Sequence, residues 1–173
     1  YLSSILVSDS KNNIDVIDNK EKNEDEDGFG SFKARILDYK LFVNENESNF
    51  IQSNDNICLE INFKLRDKLK NIVVGFIIRN KFGLDIFSDK IINTSVNSLD
   101  SGSSYVASFE FKMPELKAGD YFVCVALAEK FNKKNQILHW INDSMKFKMH
   151  TDETVDGIFK NRGVKSFIKN VHE

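Results

Sequence analysis

From Ser31 onward this chain alternates with a period of two. In ICLEINFKL, residues 57–65, Ile57, Leu59, Ile61, Phe63 and Leu65 take every second position, with Cys58, Glu60, Asn62 and Lys64 between them. Successive side chains of a strand point to opposite faces, so this run is a strand with one face on a core and the other toward solvent. The same alternation sets Phe32, Ala34 and Ile36 against Lys33 and Arg35. It sets Tyr105, Ala107, Phe109, Phe111 and Met113 against Ser108, Glu110 and Lys112, and Met145, Phe147 and Met149 against Lys146 and Lys148. Two runs, Ile72–Ile78 and Tyr121–Ala128, are apolar at both parities, which predicts central strands or strands with one face covered by a partner. No 3.6-residue period is sustained; Val164, Phe167 and Ile168 near the C-terminus are too few to choose between helix and strand.

Turn signals separate the runs. Lys81-Phe82-Gly83 closes a hairpin, Asp100-Ser101-Gly102 ends a loop, and Pro114 to Asp120 joins two strands. About eight strands result, which predicts an all-β antiparallel β-sandwich of immunoglobulin-like or jelly-roll type. With 173 residues, 41% of them hydrophobic, and 15 Phe against a single Pro, the chain has material for one core.

Residues 1–30 differ in composition from the rest. After Ile5, Leu6 and Val7 the chain turns to Asp, Asn, Lys and Glu as far as DEDGFG at 25–30, and such a stretch predicts an acidic, loosely packed linker before a sandwich over 31–173. Asp9–Asp27 carries eight acidic and three basic residues, so the near-neutral total of -2 leaves the remainder slightly positive. A calcium loop beginning at Asp25 fails, because its twelfth position, which needs a Glu, is Ile36. The first residue is Tyr, as expected of a piece cut from a longer polypeptide.

Several function classes lack support. No basic stripe is present for nucleic acid or an anionic membrane, and no apolar span approaches 20 residues. Cys58 and Cys124 match no metal or redox spacing and read as free thiols in a reducing compartment. The G-x-S-x-G elbow, the P-loop, H-E-x-x-H and G-x-G-x-x-G after a strand are all missing, and the three histidines are scattered. The expectation is a non-enzymatic domain without cofactor or metal.

Three segments in order carry a resemblance: VVGFIIRNKFGLDIFSD at 73–89, PELKAGDYFVCVALA at 114–128 and LHWINDSMKFKM at 138–149. Together they resemble the C-terminal domain of Wzt-type proteins, the ATP-binding subunits of ABC exporters for O-antigen polysaccharide, over roughly residues 31–165. The resemblance implies a cytoplasmic sandwich that follows a nucleotide-binding domain. Such a domain binds the non-reducing end of a lipid-linked glycan and selects it for a transmembrane exporter subunit. It also implies a homodimer in which residues 152–170 exchange between subunits. Ser88-Asp89-Lys90 stands where relatives are richer in Gly, Thr and Asn.

Sugars offer hydroxyls to planar amide, carboxylate and guanidinium groups and C–H faces to aromatic rings. Outward positions supply such a set: Arg79, Asn80, Asp85, Ser88, Asp89 and Lys90 around the hairpin, and His139, Trp140, Asn142 and Asp143 on the later strand. Each has a structural alternative. Arg79 to Lys81 form a solvated turn, His139 is a partly exposed strand-edge histidine, Trp140 caps the core, and Asp143 caps a turn before Ser144. The competing reading is a dimerisation or protein-interaction module using the apolar runs 72–78 and 121–128, without glycan binding.

Overall fold

The computed structural model describes residues 28–93, 99–131, 134–161 and 164–169. Eleven strands follow in order: β1 (Ala34–Val43), β2 (Asn46–Glu47), β3 (Phe50–Gln52), β4 (Asn56–Leu65), β5 (Ile72–Asn80), β6 (Asp85–Ile92), β7 (Ser104–Lys112), β8 (Glu115–Leu116), β9 (Gly119–Phe131), β10 (Lys134–His150) and β11 (Phe159–Lys160). The segments read as strands from their alternation are strands. The count exceeds eight because β2, β3, β8 and β11 are two or three residues long, too short for a period-two pattern to show. The strand expected from Phe32 begins instead at Ala34, since Phe32 sits at φ 56°.

The strands form two packed sheets, ordered β2-β1-β4-β7 and β3-β10-β9-β5-β6, and β11 pairs with β8 in a third, small one. All pairings are antiparallel except that of β3 with the end of β10, which is parallel. The inner faces meet in one core. Ile57, Leu59, Ile61, Phe63 and Leu65 of β4 lie there, opposite Val74, Phe76 and Ile78 of β5 and Val123, Val125 and Leu127 of β9. Phe76 is the aromatic centre, packing edge-on to Phe109 at 5.0 Å and parallel to Phe111 at 5.5 Å.

β5 and β9 are apolar at both parities because they are interior strands whose second face is also covered. On that outer face Val73, Ile77, Cys124, Ala126, Ala128 and Trp140 make a second, smaller cluster. Of the two expectations for these runs, central strands is the one the topology shows: residues 72–78 and, apart from the partly exposed Phe122, 121–128 are buried within the chain.

β10 departs twice from regular register. Ile137 faces Ala128 and His139 faces Leu127, so one residue is extra there; Ile141 faces Val125 and Met145 faces Val123, so two are extra. Such bulges let neighbouring residues leave the strict alternation and bend the strand. Asp143, inside the second bulge, takes φ 48°.

The expected linker over residues 1–27 lies outside the described residues, as do Asp25–Asp27. Gly28, Phe29 and Gly30, grouped with it from composition, lie along β10. At the other end, among the described residues between 152 and 169 only Phe159 and Lys160 form a strand, paired to Leu116 and Glu115 of the same chain, with bends at 152–153 and 157–158. No helix among the described residues is long and apolar enough to cross a membrane.

Candidate functional site

Strand register lays the outer face of the five-stranded sheet out in rows. The first runs Ile92, Val73, Ala128, Ile137; the second Lys90, Gly75, Ala126, Trp140; the third Ser88, Ile77, Cys124; the fourth Asp85, Arg79, Phe122, Lys146. The middle of the second row holds only Gly75 and Ala126, both buried.

Polar groups gather at one end of it. Arg79 Nε donates to Asp85 Oδ1 at 2.7 Å, with both side chains partly shielded from solvent. The register slip between Ile78 and Arg79 brings this pair opposite one another. The second β10 bulge carries Asp143 to within 3.9 Å of Cys124 Sγ, and Ser144 Oγ donates to Val123 O at 2.8 Å, pinning the bulge to β9. Asn142 Oδ1 accepts from Trp140 Nε1 at 2.9 Å. In the fourth row Lys146 reaches Asp120 at 2.9 Å and stands over the Phe122 ring at 6.0 Å.

The charges in this corner act on one another. Burial disfavours the Arg79 cation, but its hydrogen bond to Asp85 and the negative charges around it, Asp143 among them, outweigh that and hold its pKa above the ordinary value. Burial pushes the Cys124 thiol up, partly offset by its hydrogen bond with Asp143 and by Arg79. The Lys146 partnership pulls Asp120 below the usual carboxylate range. No group of three or more His, Cys, Asp or Glu among the described residues is arranged to hold a metal ion. What the corner offers is a guanidinium, two carboxylates and an amide beside a buried apolar cluster.

A sequence model of the Wzt C-terminal domain matches residues 25–160, well over half of the chain. The chain belongs to the Wzt C-terminal domain family. A crystal structure of the C-terminal domain of Wzt superposes with a TM-score of 0.74 at 16% identity, covering 83% of this chain and 89% of that one. At that identity the likeness shows the fold. A Niemann-Pick type C2 protein from the Japanese carpenter ant reaches a TM-score of 0.49 at 12% identity, over 72% of this chain and 98% of its own, and carries no argument. No curated protein sequence matches. Membership supports a role in an O-antigen ABC exporter.

Of the ten residues singled out in this Wzt C-terminal domain, Arg79, Asp85, Ser88, Lys90 and Trp140 share the outer face, with Asn142 and Asp143 at its rim. Three stand apart. Asn80 Oδ1 accepts from the amides of Phe82 and Leu84, both at 2.9 Å, and so shapes the hairpin turn. Asp89 pairs with Phe76, at the other parity, and accepts from the Lys90 amide. His139 is not a partly exposed edge residue but 2% exposed, because the first bulge turns it toward β1, where Nδ1 accepts from the Ile36 amide at 2.9 Å. Trp140 is buried too, at 5%, within the smaller cluster on the outer face rather than in the core between the sheets.

Sequence reasoning missed Cys124 and Phe122 on this face, because an uninterrupted apolar run does not say which parity looks outward. It also missed Phe29, whose ring lies 6.1 Å from that of Trp140 at 20°. Two glycines flanking an aromatic just before the alternation begins were the available signal.

Proposed function

We propose that this domain is a non-catalytic glycan-recognition module that reads the non-reducing end of a lipid-linked O-antigen polysaccharide and gives an ABC exporter its substrate specificity. The observation that carries the reading is the partly exposed Arg79–Asp85 pair, with Asp143 acting on the same guanidinium, at the polar end of the outer face. Guanidinium and amide N–H groups donate to sugar hydroxyls and carboxylates accept from them. The domain works by binding, without a cofactor. It does so at the cytoplasmic side of the inner membrane, joined to a nucleotide-binding domain and through it to the transmembrane subunit.

Calorimetry of the 173-residue chain with the O-antigen polysaccharide of the strain that encodes it tests this. Saturable heat is expected, and Arg79→Ala and Asp143→Asn should each weaken binding about tenfold, or about 1.4 kcal/mol, with unchanged circular dichroism. Absence of heat with the unaltered chain overturns the reading, and turnover of the glycan overturns its non-catalytic part.

A homodimer formed by C-terminal exchange is part of the same proposal. What supports it is the exposure of Val164, Phe167 and Ile168, apolar residues outside any strand.

A further inference from the structure

Residues 28–33 run along the free edge of β10 and cross from the five-stranded sheet to β1 in the other. Four backbone hydrogen bonds seat them: Phe29 N–H on Trp140 O at 3.0 Å, Trp140 N–H on Phe29 O at 2.7 Å, Ser31 N–H on Ile137 O at 3.1 Å and Phe32 N–H on Leu138 O at 2.8 Å. The approach is too close for a side chain. A Cβ on Gly28 would lie 2.2 Å from Trp140 O and one on Gly30 2.3 Å from Leu138 O, and both glycines have positive φ.

The two phenylalanines hold consecutive residues of β10. Phe29 lies near-parallel to Trp140, within the range of an offset aromatic pair, and Phe32 packs on His139 at 5.1 Å. Trp140 belongs to the outer cluster, whereas His139 reaches β1, so the strap grips β10 on both sides. Yet it buries little of itself: residues 28–31 are all exposed, Phe29 by half. Many edge hydrogen bonds with little apolar burial mark a segment that opens at a lower free energy than the sheet beneath it.

We propose that Gly28–Phe32 is a detachable clasp that opens as a unit while the sandwich stays folded, and that its seating positions Trp140 and, through the indole bond to Asn142, the ligand-facing rim. The second half of this rests on the glycan reading above. Seating of the clasp and occupancy of the face are then linked, each favouring the other by the same factor.

Trp140 is the only tryptophan, so its fluorescence reports the clasp directly. Gly30→Ala and Phe29→Ala in the full chain should raise the acrylamide quenching constant about twofold. They should also speed hydrogen exchange at the Phe29, Phe32 and Trp140 amides about tenfold, while those of Phe76 and Val125 keep their rates. Unchanged quenching and exchange, or core amides that speed up in step with the clasp, overturn the clasp as a separate unit. In glycan titrations, Gly30→Ala should bind about threefold more weakly and the bound wild type should exchange more slowly at the clasp. Equal affinity with the clasp shown to be open overturns the linkage. If the unaltered chain binds no glycan, the preceding section fails, and the clasp stands or falls on quenching and exchange alone.

Discussion

At the residue scale, His139 shows how a polar group is kept in this interior. Its Nδ1 accepts the Ile36 amide, which fixes the proton of the neutral ring on Nε2. His139→Leu keeps the bulk but leaves that amide without its acceptor, and chemical denaturation should register a loss of about 1–3 kcal/mol. The cysteines separate by environment. Cys58 is only partly buried, and burial together with Glu60 and Glu110 holds its thiol pKa above the ordinary value. The thiolate is the reactive form, so alkylation of Cys58 should run slower than that of free cysteine at neutral pH and still be rising with pH where free cysteine has levelled off. Cys124, buried on the outer face, should react only after denaturant is added. Equal labelling of both thiols in the native protein at pH 7 would contradict this placement.

At the scale of the element, β5 carries the heaviest packing. Phe76 is buried among Phe87, Phe109 and Phe111, and Phe76→Ala should cost about 3–5 kcal/mol by thermal or urea unfolding, through lost burial and a cavity that three stiff rings cannot fill. The alternation of β4 and β7 was legible in the sequence because one face of each meets solvent. The hairpin of β5 and β6 was legible from its Gly83 turn. In β5 and β9 the alternation is invisible, since both faces are apolar, and there the site could be read only as far as its polar ends. β10 defeated parity reasoning at His139 because a bulge is a backbone event, and no residue between Ile137 and Met145 announces where the extra positions fall. The amide of Asn80 suits a sugar contact and a turn alike in the sequence, and in the fold its Oδ1 is engaged by the turn. Asp143 is legible in the sequence as an outward polar position near Trp140, but its nearness to Cys124 across the sheet needed the fold.

At the scale of the whole molecule, the C-terminal segment tests the assembly. Sedimentation of the full chain should show a dimer, and removal of residues 161–173, which takes away Val164, Phe167 and Ile168, should leave a folded monomer at the same concentration. A dimer that persists in the shortened chain rules out exchange of those residues as its basis. The second β10 bulge has a consequence beyond recognition. Pairing resumes at Met145 after two extra residues, so residues 142–144 are held by their own side-chain bonds to Trp140, Cys124 and Val123 and not by the ladder. The shape of that corner therefore depends on three side chains, whereas the register of the core on either side depends on backbone pairing alone.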